Sequence, residues 1–394
     1  MVSQALTWFF VTFGKEFRQG QRMAFEVVML VSLAHFFGCY TPNQLADYLG
    51  IAPQRLYAHL KDWSLYRLKK LLVRFMVHQA AERLKPVLAK SAATRSRAGL
   101  TLSVDNSVID RLGRVLRCTW SGYSGRAKQV VNGQDLLGIV LTVGGIALPL
   151  HLLFCSKQGR KNTDKPSLLV AMFTQLKEAF AQEGIDLTQL PITMDSWFAS
   201  QGLRKELVKL GFKQILVAGK SNYTFTIGKN KHPASEWKKI LQLLRKQWGI
   251  DVPALRVRAH RPTFGPIVVL FFEKSTTRTY YLMELSDRPR RGAEIWHIWK
   301  QHVLIEAFWK LLKSTFKIKD MRLQGVGLYT GLVIKILAYL LALRLKRQHR
   351  FSNSSLTQIL RTIQREHDLL ELMNEHFHLP DSITQAVRTA NANF

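Results

Sequence analysis

The first 97 residues carry apolar side chains at the spacing of α-helices. Apolar positions recur three and four residues apart through 25–37 and again through 60–87. This spacing puts them on one face of a helix. The pattern therefore predicts a wholly helical N-terminal domain.

Between these two runs lies a segment with helix start and stop signals. Thr41 followed by Pro42 predicts a helix N-terminus, Gly50 predicts a tight turn, and Pro53 predicts the start of a second helix. Ala46 is small where the two helices would cross. This arrangement is typical of a helix-turn-helix, whose second helix enters the major groove of DNA. The second helix would present Gln54, Arg55, Tyr57, Ala58 and Lys61. The alternative is a helical hairpin that packs only against its neighbours.

From Gly99 the pattern changes to short apolar runs separated by Gly and Ser turns, which is typical of β-strands. Three strands are followed by a helix, a strand, a helix and a strand. This order predicts an α/β fold, a mixed sheet with helices on its faces. The predicted strands are 100–104, 138–143, 147–154, 192–194 and 214–218, and the helices are 167–183 and 200–209.

A second group of strands interrupts that alternation before a helix at 293–313. The strands, at 223–227, 255–259, 267–272 and 279–285, predict a β-rich insertion. Further on, Gly325 to Leu343 is almost continuously apolar except for Lys335, which predicts a buried helix, with a membrane span as the alternative. The predicted domains are 1–97 (helical), 98–222 (first part of the core), 223–290 (insertion), 291–347 (helical second part of the core) and 348–394 (helical extension).

The charge balance narrows the possible partners. The chain of 394 residues has 57 Lys and Arg against 27 Asp and Glu, a formal net charge of +30. Such a charge attracts polyanions, with DNA or RNA as the default and an anionic membrane or a ribosomal setting as alternatives. Only the segment 351–394 lacks the basic excess, so we expect it to pack on protein. Three cysteines without C-x-x-C spacing indicate neither disulfides nor zinc, and a cytoplasmic location fits best.

Three acidic residues lie beside apolar runs, where an unpaired carboxylate is costly. Asp105 and Asp195 each end an apolar strand, and Glu306 lies on the helix 293–313. Several carboxylates at one point suit a hard divalent cation. Two Mg²⁺ ions, with Mn²⁺ as a substitute, would serve phosphodiester chemistry on a nucleic acid.

Each acid also has an ordinary structural interpretation. Asp105 could be a capping or turn residue, and Asp110 would then be the candidate for the site. Asp195 could cap the following helix. Glu306 could pair with Lys310 on a solvated helix face.

The order Asp, Asp, Glu, the Asp-Ser-Trp-Phe at 195–198, the β-rich insertion and the helical N-terminus together resemble the DDE transposases of bacterial insertion sequences. One group of these carries the signature Tyr-x2-Arg-x3-Glu-x6-Lys. The matching positions here are Trp299, His302, Glu306 and Lys313, so the spacing agrees throughout and the residue type agrees at two. With Trp and His at the first two positions, the hairpin intermediate of some relatives is not implied.

The resemblance implies an RNase H-like core and roles for individual residues. Asp105, Asp195 and Glu306 would bind the metal ions, and Lys313 would contact the phosphate of the transferred strand. His302 would act in catalysis in place of the Arg. Trp197 would stack on a displaced base. Further DNA contacts are expected at Arg126, Lys128, Lys157, Arg160, Trp299 and Lys310.

The function implied is cut-and-paste transposition by a homodimer acting on double-stranded DNA. The enzyme would cleave the inverted repeats at the element ends and join the freed 3′-hydroxyl to target DNA. The alternatives are a structure-specific nuclease or resolvase on the same fold, and a catalytically inactive DNA-binding regulator.

Overall fold

The computed structural model describes most of the chain. The described residues are 2–14, 19–61, 65–91, 98–110, 119–124, 128–155, 164–247, 254–273, 279–286, 290–321, 323 and 327–392.

The described residues contain thirteen α-helices. Seven precede or accompany the first strands and their crossovers: α1 (Val2–Phe13), α2 (Gln19–Ala34), α3 (Pro42–Leu49), α4 (Pro53–Leu60), α5 (Leu65–Leu88), α6 (Lys165–Gln182) and α7 (Gln201–Lys209). Six follow: α8 (Ala234–Gln247), α9 (Gly292–Ser314), α10 (Gly327–Lys346), α11 (Leu356–Glu366), α12 (Leu369–His376) and α13 (Asp381–Ala392).

Eleven strands form one mixed sheet. They are β1 (Thr101–Asp110), β2 (Thr119–Ser124), β3 (Gln129–Val143), β4 (Ile146–Cys155), β5 (Ile192–Met194), β6 (Ile215–Ala218), β7 (Thr224–Ile227), β8 (Asn230–Pro233), β9 (Ala254–Arg261), β10 (Gly265–Glu273) and β11 (Thr279–Glu284).

The strand order is β2-β3-β1-β5-β6-β11-β10-β9-β7-β8, with β4 also paired to β3. Strands β1, β5 and β6 run parallel to one another. β3 pairs antiparallel with β4, and β11 pairs antiparallel with β6. The fold is therefore the mixed α/β arrangement that the sequence predicts, and the predicted insertion continues the same sheet through β11.

Contacts divide the chain into two compact units. The first unit comprises Met1–Phe75, Val108–Gln134 and Trp309–Phe394, and the second comprises Met76–Ser107 and Asp135–Phe308. The five domains expected from sequence are a finer division and stay a prediction.

In the first unit the core is helical. Helix α10 is buried along almost its whole length and packs on α2. By length and composition it is long and apolar enough to cross a membrane, but 94% of its apolar window is buried inside the protein. Lys335, in the middle of this helix, is fully buried and donates a hydrogen bond to the carbonyl oxygen of Tyr40 at 2.7 Å. The prediction of a buried helix here agrees with this packing.

The C-terminal helices complete the first unit. Helix α11 packs on α10, α12 packs on α1, and α13 packs on α4. The backbone N–H of His378 donates to the buried carboxylate of Glu26 on α2 at 2.5 Å. The expectation that residues 351–394 pack on protein is confirmed for the described part of this segment.

In the second unit, the insertion strands lie between two helices. On one face, the indole N–H of Trp237 on α8 donates to the carbonyl oxygen of Phe225 on β7 at 2.8 Å. On the other face, apolar side chains of the sheet and α9 form a buried cluster, whose members are Leu216, Val268, Leu270, Leu282, Ile295 and Trp299. Each such side chain contributes about 1.5–3 kcal/mol when buried, so the cluster fixes α9 against the sheet.

Helix α8 and the strands β2 and β8 are absent from the sequence prediction. Trp237, Ile240, Leu241 and Leu244 recur at helical spacing, but strand-like runs surround them. β2 and β8 are short and polar, so their apolar alternation is too weak to recognise. They form because β3 and β7 offer open edges to pair with.

We expect Gly50→Ala to lower the free energy of unfolding by about 2–3 kcal/mol. Gly50 has φ of 65° after α3, a conformation that costs an L-residue about 1–2 kcal/mol, and an added Cβ would lie 2.9 Å from Cβ of Ala390. Urea unfolding measures the loss. Gly144→Ala is the matched control, because Gly144 has φ of 56° with nothing within 4 Å of an added Cβ. If both variants lose the same stability, the contact between the turn and α13 contributes nothing.

Candidate active site

Two aspartates occupy neighbouring positions on adjacent parallel strands. Val104 of β1 lies opposite Met194 of β5, and the next residues are Asp105 and Asp195. Adjacent strands lie about 4.8 Å apart, and side chains in the same register project from the same face. The fold therefore brings these two distant acids to one edge of the sheet.

A layer of buried polar groups lies on the same face, one pleat earlier. Ser103 and Thr193 share a hydrogen bond of 3.0 Å between their hydroxyls, and the Thr193 hydroxyl is also hydrogen-bonded to Nδ1 of His302 at 3.0 Å. All three residues are buried. The other ring nitrogen of His302, Nε2, lies 3.7 Å from Oδ1 of Asp195. Helix α9 is thus connected to both strands directly below the two aspartates.

The third acid lies one helical turn after this histidine. Residues four apart share a helix face, so Glu306 follows His302 along α9 toward the edge where Asp105 and Asp195 lie. Its side chain is exposed, and it makes no ion pair among the described residues. The alternative interpretation of Glu306, an ion pair with Lys310, is therefore not observed among the described residues, although the side chain is solvated.

The charges of the other two acids affect the pKa of Asp105. Burial first, and then the negative charges of Asp195 and Glu306, raise the pKa of Asp105 to about 7. His302 and the N–H of Asn106, which donates to Oδ1 of Asp105 at 2.7 Å, lower it. Each of the two other acids is therefore close enough to Asp105 to disfavour its ionised form.

The donor set suits a hard divalent cation. Carboxylate oxygens are the ligands that Mg²⁺ prefers, and a bound cation relieves repulsion between like charges. Within the described part of the chain, no three His, Cys, Asp or Glu side chains already form a cluster tight enough to hold a metal. Asp195 has 54% of its side chain exposed and Glu306 is exposed, so a cation beside Asp105 can reach both carboxylates. The residues fit the cation in chemistry and charge.

A buried ion pair supports the two aspartates from the other side. Asp135 on β3 is 1% exposed, accepts a hydrogen bond from the Asn106 amide at 2.8 Å, and forms an ion pair with Lys165 at the start of α6. The Lys165 ammonium lies 4.6 Å from the ring centre of Trp197. Asn106, which follows Asp105, is therefore hydrogen-bonded to Asp135, and Trp197, two residues after Asp195, contacts the lysine that pairs with Asp135. Asp135 thus has a structural role, which its position beside an apolar run allows.

The remaining structural alternatives for the aspartates are also resolved. Asp105 lies within β1 and is not a turn acid. Asp195 makes no capping hydrogen bond, and α7 is capped by the Ser200 hydroxyl. Asp110, the reserve candidate, forms an ion pair with Lys319 at 3.1 Å.

The structure corrects the expected role of Trp299. Its side chain is 7% exposed, belongs to the core cluster, and stacks on the ring of His302 with centroids 4.7 Å apart. A ring enclosed in this way has no open face for DNA. His302 itself is 4% exposed and contacts Thr193 and Asp195, so it restrains an acid and does not present its ring to a phosphate.

The other residues expected to contact DNA differ in their exposure. Trp197 is 56% exposed. Lys310 is exposed and Lys313 is half-buried, both further along α9. Lys128 is exposed at a positive φ of 50°. Arg126, Lys157 and Arg160 lie outside the described residues.

The segment predicted as a helix-turn-helix has the expected helix ends. The Thr41 hydroxyl accepts from the Gln44 N–H, Pro42 begins α3, and Gly50 ends it in a left-handed conformation. Helix α4 begins at Pro53.

Two of the residues expected to face DNA from α4 are hydrogen-bonded to other parts of the protein. Arg55 donates to the carbonyl oxygen of Ser382, and the Tyr57 hydroxyl donates to Asn43 at 2.9 Å. Arg55 is exposed, as are Gln54, Ala58 and Lys61. Contact of any of these residues with DNA stays a prediction.

Comparison with known proteins finds a similarity of fold. No family model and no curated protein matches the sequence. Among solved structures, the chain is similar to a cryo-EM structure of the piggyBac transposase synaptic complex with hairpin DNA. The match covers 95% of this chain and 76% of that one, with a TM-score of 0.46 and 12% sequence identity. A likeness at this level does not by itself identify a shared activity.

We expect Asp105→Asn to stabilise the metal-free protein at about pH 8 and to change little at about pH 4. The folded protein holds a proton on Asp105 up to about 7, whereas the ordinary pKa is 3.8. Folding therefore takes up a proton between these values, and the stability of the wild type falls as pH rises through them. Urea unfolding across this pH range, with a chelator present, measures the difference.

Asp186→Asn is the control of opposite sign. Hydrogen bonds from Thr188 and Gln189 lower the pKa of Asp186, so its ionised form stabilises the fold and is lost as pH falls through that lowered pKa. An Asp105→Asn variant that follows wild type at every pH would contradict the electrostatic description of the site.

Proposed function

We propose that this protein is a DDE transposase that cleaves and joins DNA with divalent metal ions. One observation carries the proposal: the charges of Asp195 and Glu306 both act on the buried carboxyl of Asp105. Three carboxylates converging from two strands and a helix form a site for hard cations.

The strand order supports the class of fold. The strands β4-β3-β1-β5-β6 are neighbours in that order, with β1, β5 and β6 parallel. This is the order of an RNase H-like core, in which the acids of the first and fourth strands meet. The inserted strands β7 to β11 come before the helix that carries Glu306, as the resemblance to insertion-sequence transposases implies.

The reaction would proceed in two displacements at phosphorus. In the first, water attacks a phosphodiester at the element end and the 3′-oxygen leaves as a hydroxyl. In the second, that hydroxyl attacks a phosphodiester of target DNA and displaces the target's own 3′-oxygen. Mg²⁺ or Mn²⁺, held by Asp105, Asp195 and Glu306, would activate the attacking oxygen and stabilise the leaving oxygen.

The protein's own residues position these carboxylates and the DNA. His302 restrains Asp195, and the N–H of Asn106 holds Asp105. Lys313, about two helical turns beyond Glu306, would contact the transferred-strand phosphate. Trp197, exposed two residues after Asp195, would stack on an unpaired base.

The charge of the chain supports DNA as the substrate. A net charge of +30 favours phosphate binding, and α4 would read the inverted repeat from the first unit. We propose that a homodimer holds two ends. A nuclease or resolvase on the same fold would cut without joining, and an inactive regulator would bind without cutting.

We expect Asp105→Asn, Asp195→Asn and Glu306→Gln each to lower Mg²⁺-dependent cleavage of element-end DNA by at least about 100-fold, because each removes a metal ligand. End binding should survive, since neither the basic surface nor α4 changes. Labelled DNA incubated with protein and Mg²⁺ or Mn²⁺ gives cut and joined products on a gel, and a mobility shift gives binding.

The matched control is Glu178→Gln, an exposed acid on α6, which should leave cleavage unchanged. Full cleavage by any of the three site variants would refute the site assignment. Cut products without joined products would favour the nuclease, and a mobility shift without cutting would favour the regulator.

A further inference from the structure

The inserted strands contain none of the three acids, yet one residue at their start reaches the turn that carries Asp195. The hydroxyl of Tyr223 donates a hydrogen bond to the carbonyl oxygen of Ser196 at 3.1 Å. Ser196 directly follows Asp195, and Tyr223 directly precedes β7. The insertion therefore contacts the backbone of the candidate active site through this side chain.

The turn after Asp195 has few backbone hydrogen bonds of its own. It is a single turn of 3-10 helix at Ser196–Phe198, with hydrogen bonds from the Phe198 N–H to Asp195 at 3.0 Å and from the Ala199 N–H to Ser196 at 3.3 Å. Such short turns have poor hydrogen-bond geometry. A further donor to the Ser196 carbonyl therefore has a large share in fixing this peptide.

The carboxylate of Asp195 depends on this backbone for its position. It makes no hydrogen bond to its own turn, and more than half of the side chain is exposed. Its contact with His302 is 3.7 Å long, which exceeds a hydrogen bond. What determines where the carboxylate points is therefore largely the peptide that Tyr223 holds.

Tyr223 is itself held firmly within the insertion. The guanidinium of Arg261 on β9 lies 3.7 Å from the centre of its ring, a close cation–π contact. Its backbone is bonded on both sides, since its N–H donates to Lys220 at 3.0 Å and its carbonyl accepts from the Ala234 N–H at 2.8 Å. The hydroxyl is thus presented by a rigid platform.

A second connection joins the insertion to the helix that follows the turn. Arg204 on α7 donates to the carbonyl oxygens of Phe264 at 3.3 Å and Leu285 at 3.0 Å. The segment from Asp195 to α7 is therefore bound to the insertion near both of its ends.

We propose that Tyr223 is a positioning residue for the second carboxylate: through the Ser196 carbonyl, the insertion sets the turn that directs Asp195 into the site. This inference rests on the proposed function for its catalytic consequence. Its structural part, the restraint of residues 195–199, holds without any assumption about activity.

The first test measures the turn without metal or DNA. Tyr223→Phe removes the hydroxyl and keeps the ring beneath Arg261, so the insertion should stay folded. We expect faster hydrogen exchange of the amides of Phe198 and Ala199 in the variant, because the turn opens more often. The matched control is Tyr281→Phe, which removes a half-buried hydroxyl from β11 of the same insertion and should leave this exchange unchanged.

The second test measures the site. We expect Tyr223→Phe to lower the cleavage rate at saturating DNA by about 10-fold or to raise the half-saturating Mg²⁺ concentration by a similar factor, as loss of a group that orients a metal ligand does. The dissociation constant for DNA should not change. The Mg²⁺-induced rise in Tm should be smaller than for wild type, while the metal-free Tm stays the same.

The outcomes separate this inference from the function it rests on. Unchanged exchange at 198–199 together with wild-type cleavage and Mg²⁺ response would overturn the role of Tyr223 and leave the proposed function standing. Weaker DNA binding with normal exchange would also overturn it, because Tyr223 would then be a DNA contact. If wild type and Asp195→Asn both fail to cleave while Tyr223→Phe still speeds exchange, the proposed function fails and the restraint of the turn remains.

Discussion

The register between β1 and β5 is the constraint on which the rest of the site depends. With Val104 opposite Met194, the two following aspartates must lie side by side, and a slip of one residue would turn one of them to the other face of the sheet. Burial and the repulsion this creates raise the pKa of Asp105. The cation proposed for the site would relieve this repulsion, which is otherwise a cost to the fold at the buried Asp105.

Beneath this register, buried polar groups hold the elements that carry the acids. Ser103, Thr193 and His302 connect the two strands to α9, while Asp135 connects β3 to β1 and α6. Buried polar groups are costly unless they are paired. Their cost is offset by their partners, and the geometry of those partners leaves few alternative positions for the carboxylates. The same hydrogen bonds therefore stabilise this layer and position the carboxylates.

The sequence predicted the acids better than their surroundings. Asp105 and Asp195 each follow an apolar run, and the two runs are parallel neighbours, so the pattern indicated their proximity. It did not show that β1 continues beyond Asp105 to Asp110. Trp299 was wrong as a DNA contact, because helical spacing does not show which side of α9 meets the cluster around Leu270. The role of Tyr223 could not be predicted either, because a hydrogen bond from one element to the carbonyl of another leaves no periodicity in the sequence.

The candidate DNA-reading helix shows how tertiary packing selects among residues that sequence treats alike. All five expected contacts lie on α4 or at its end, but α13 packs on that helix and accepts a hydrogen bond from Arg55. Gln54, Ala58 and Lys61 stay exposed on one helical face. Since α13 belongs to the one segment without a basic excess, it covers protein surface without adding to the phosphate-binding charge. Reading of a groove by α4 would therefore rest on Gln54, Ala58 and Lys61, while Arg55 is exposed but hydrogen-bonded to α13 through Ser382.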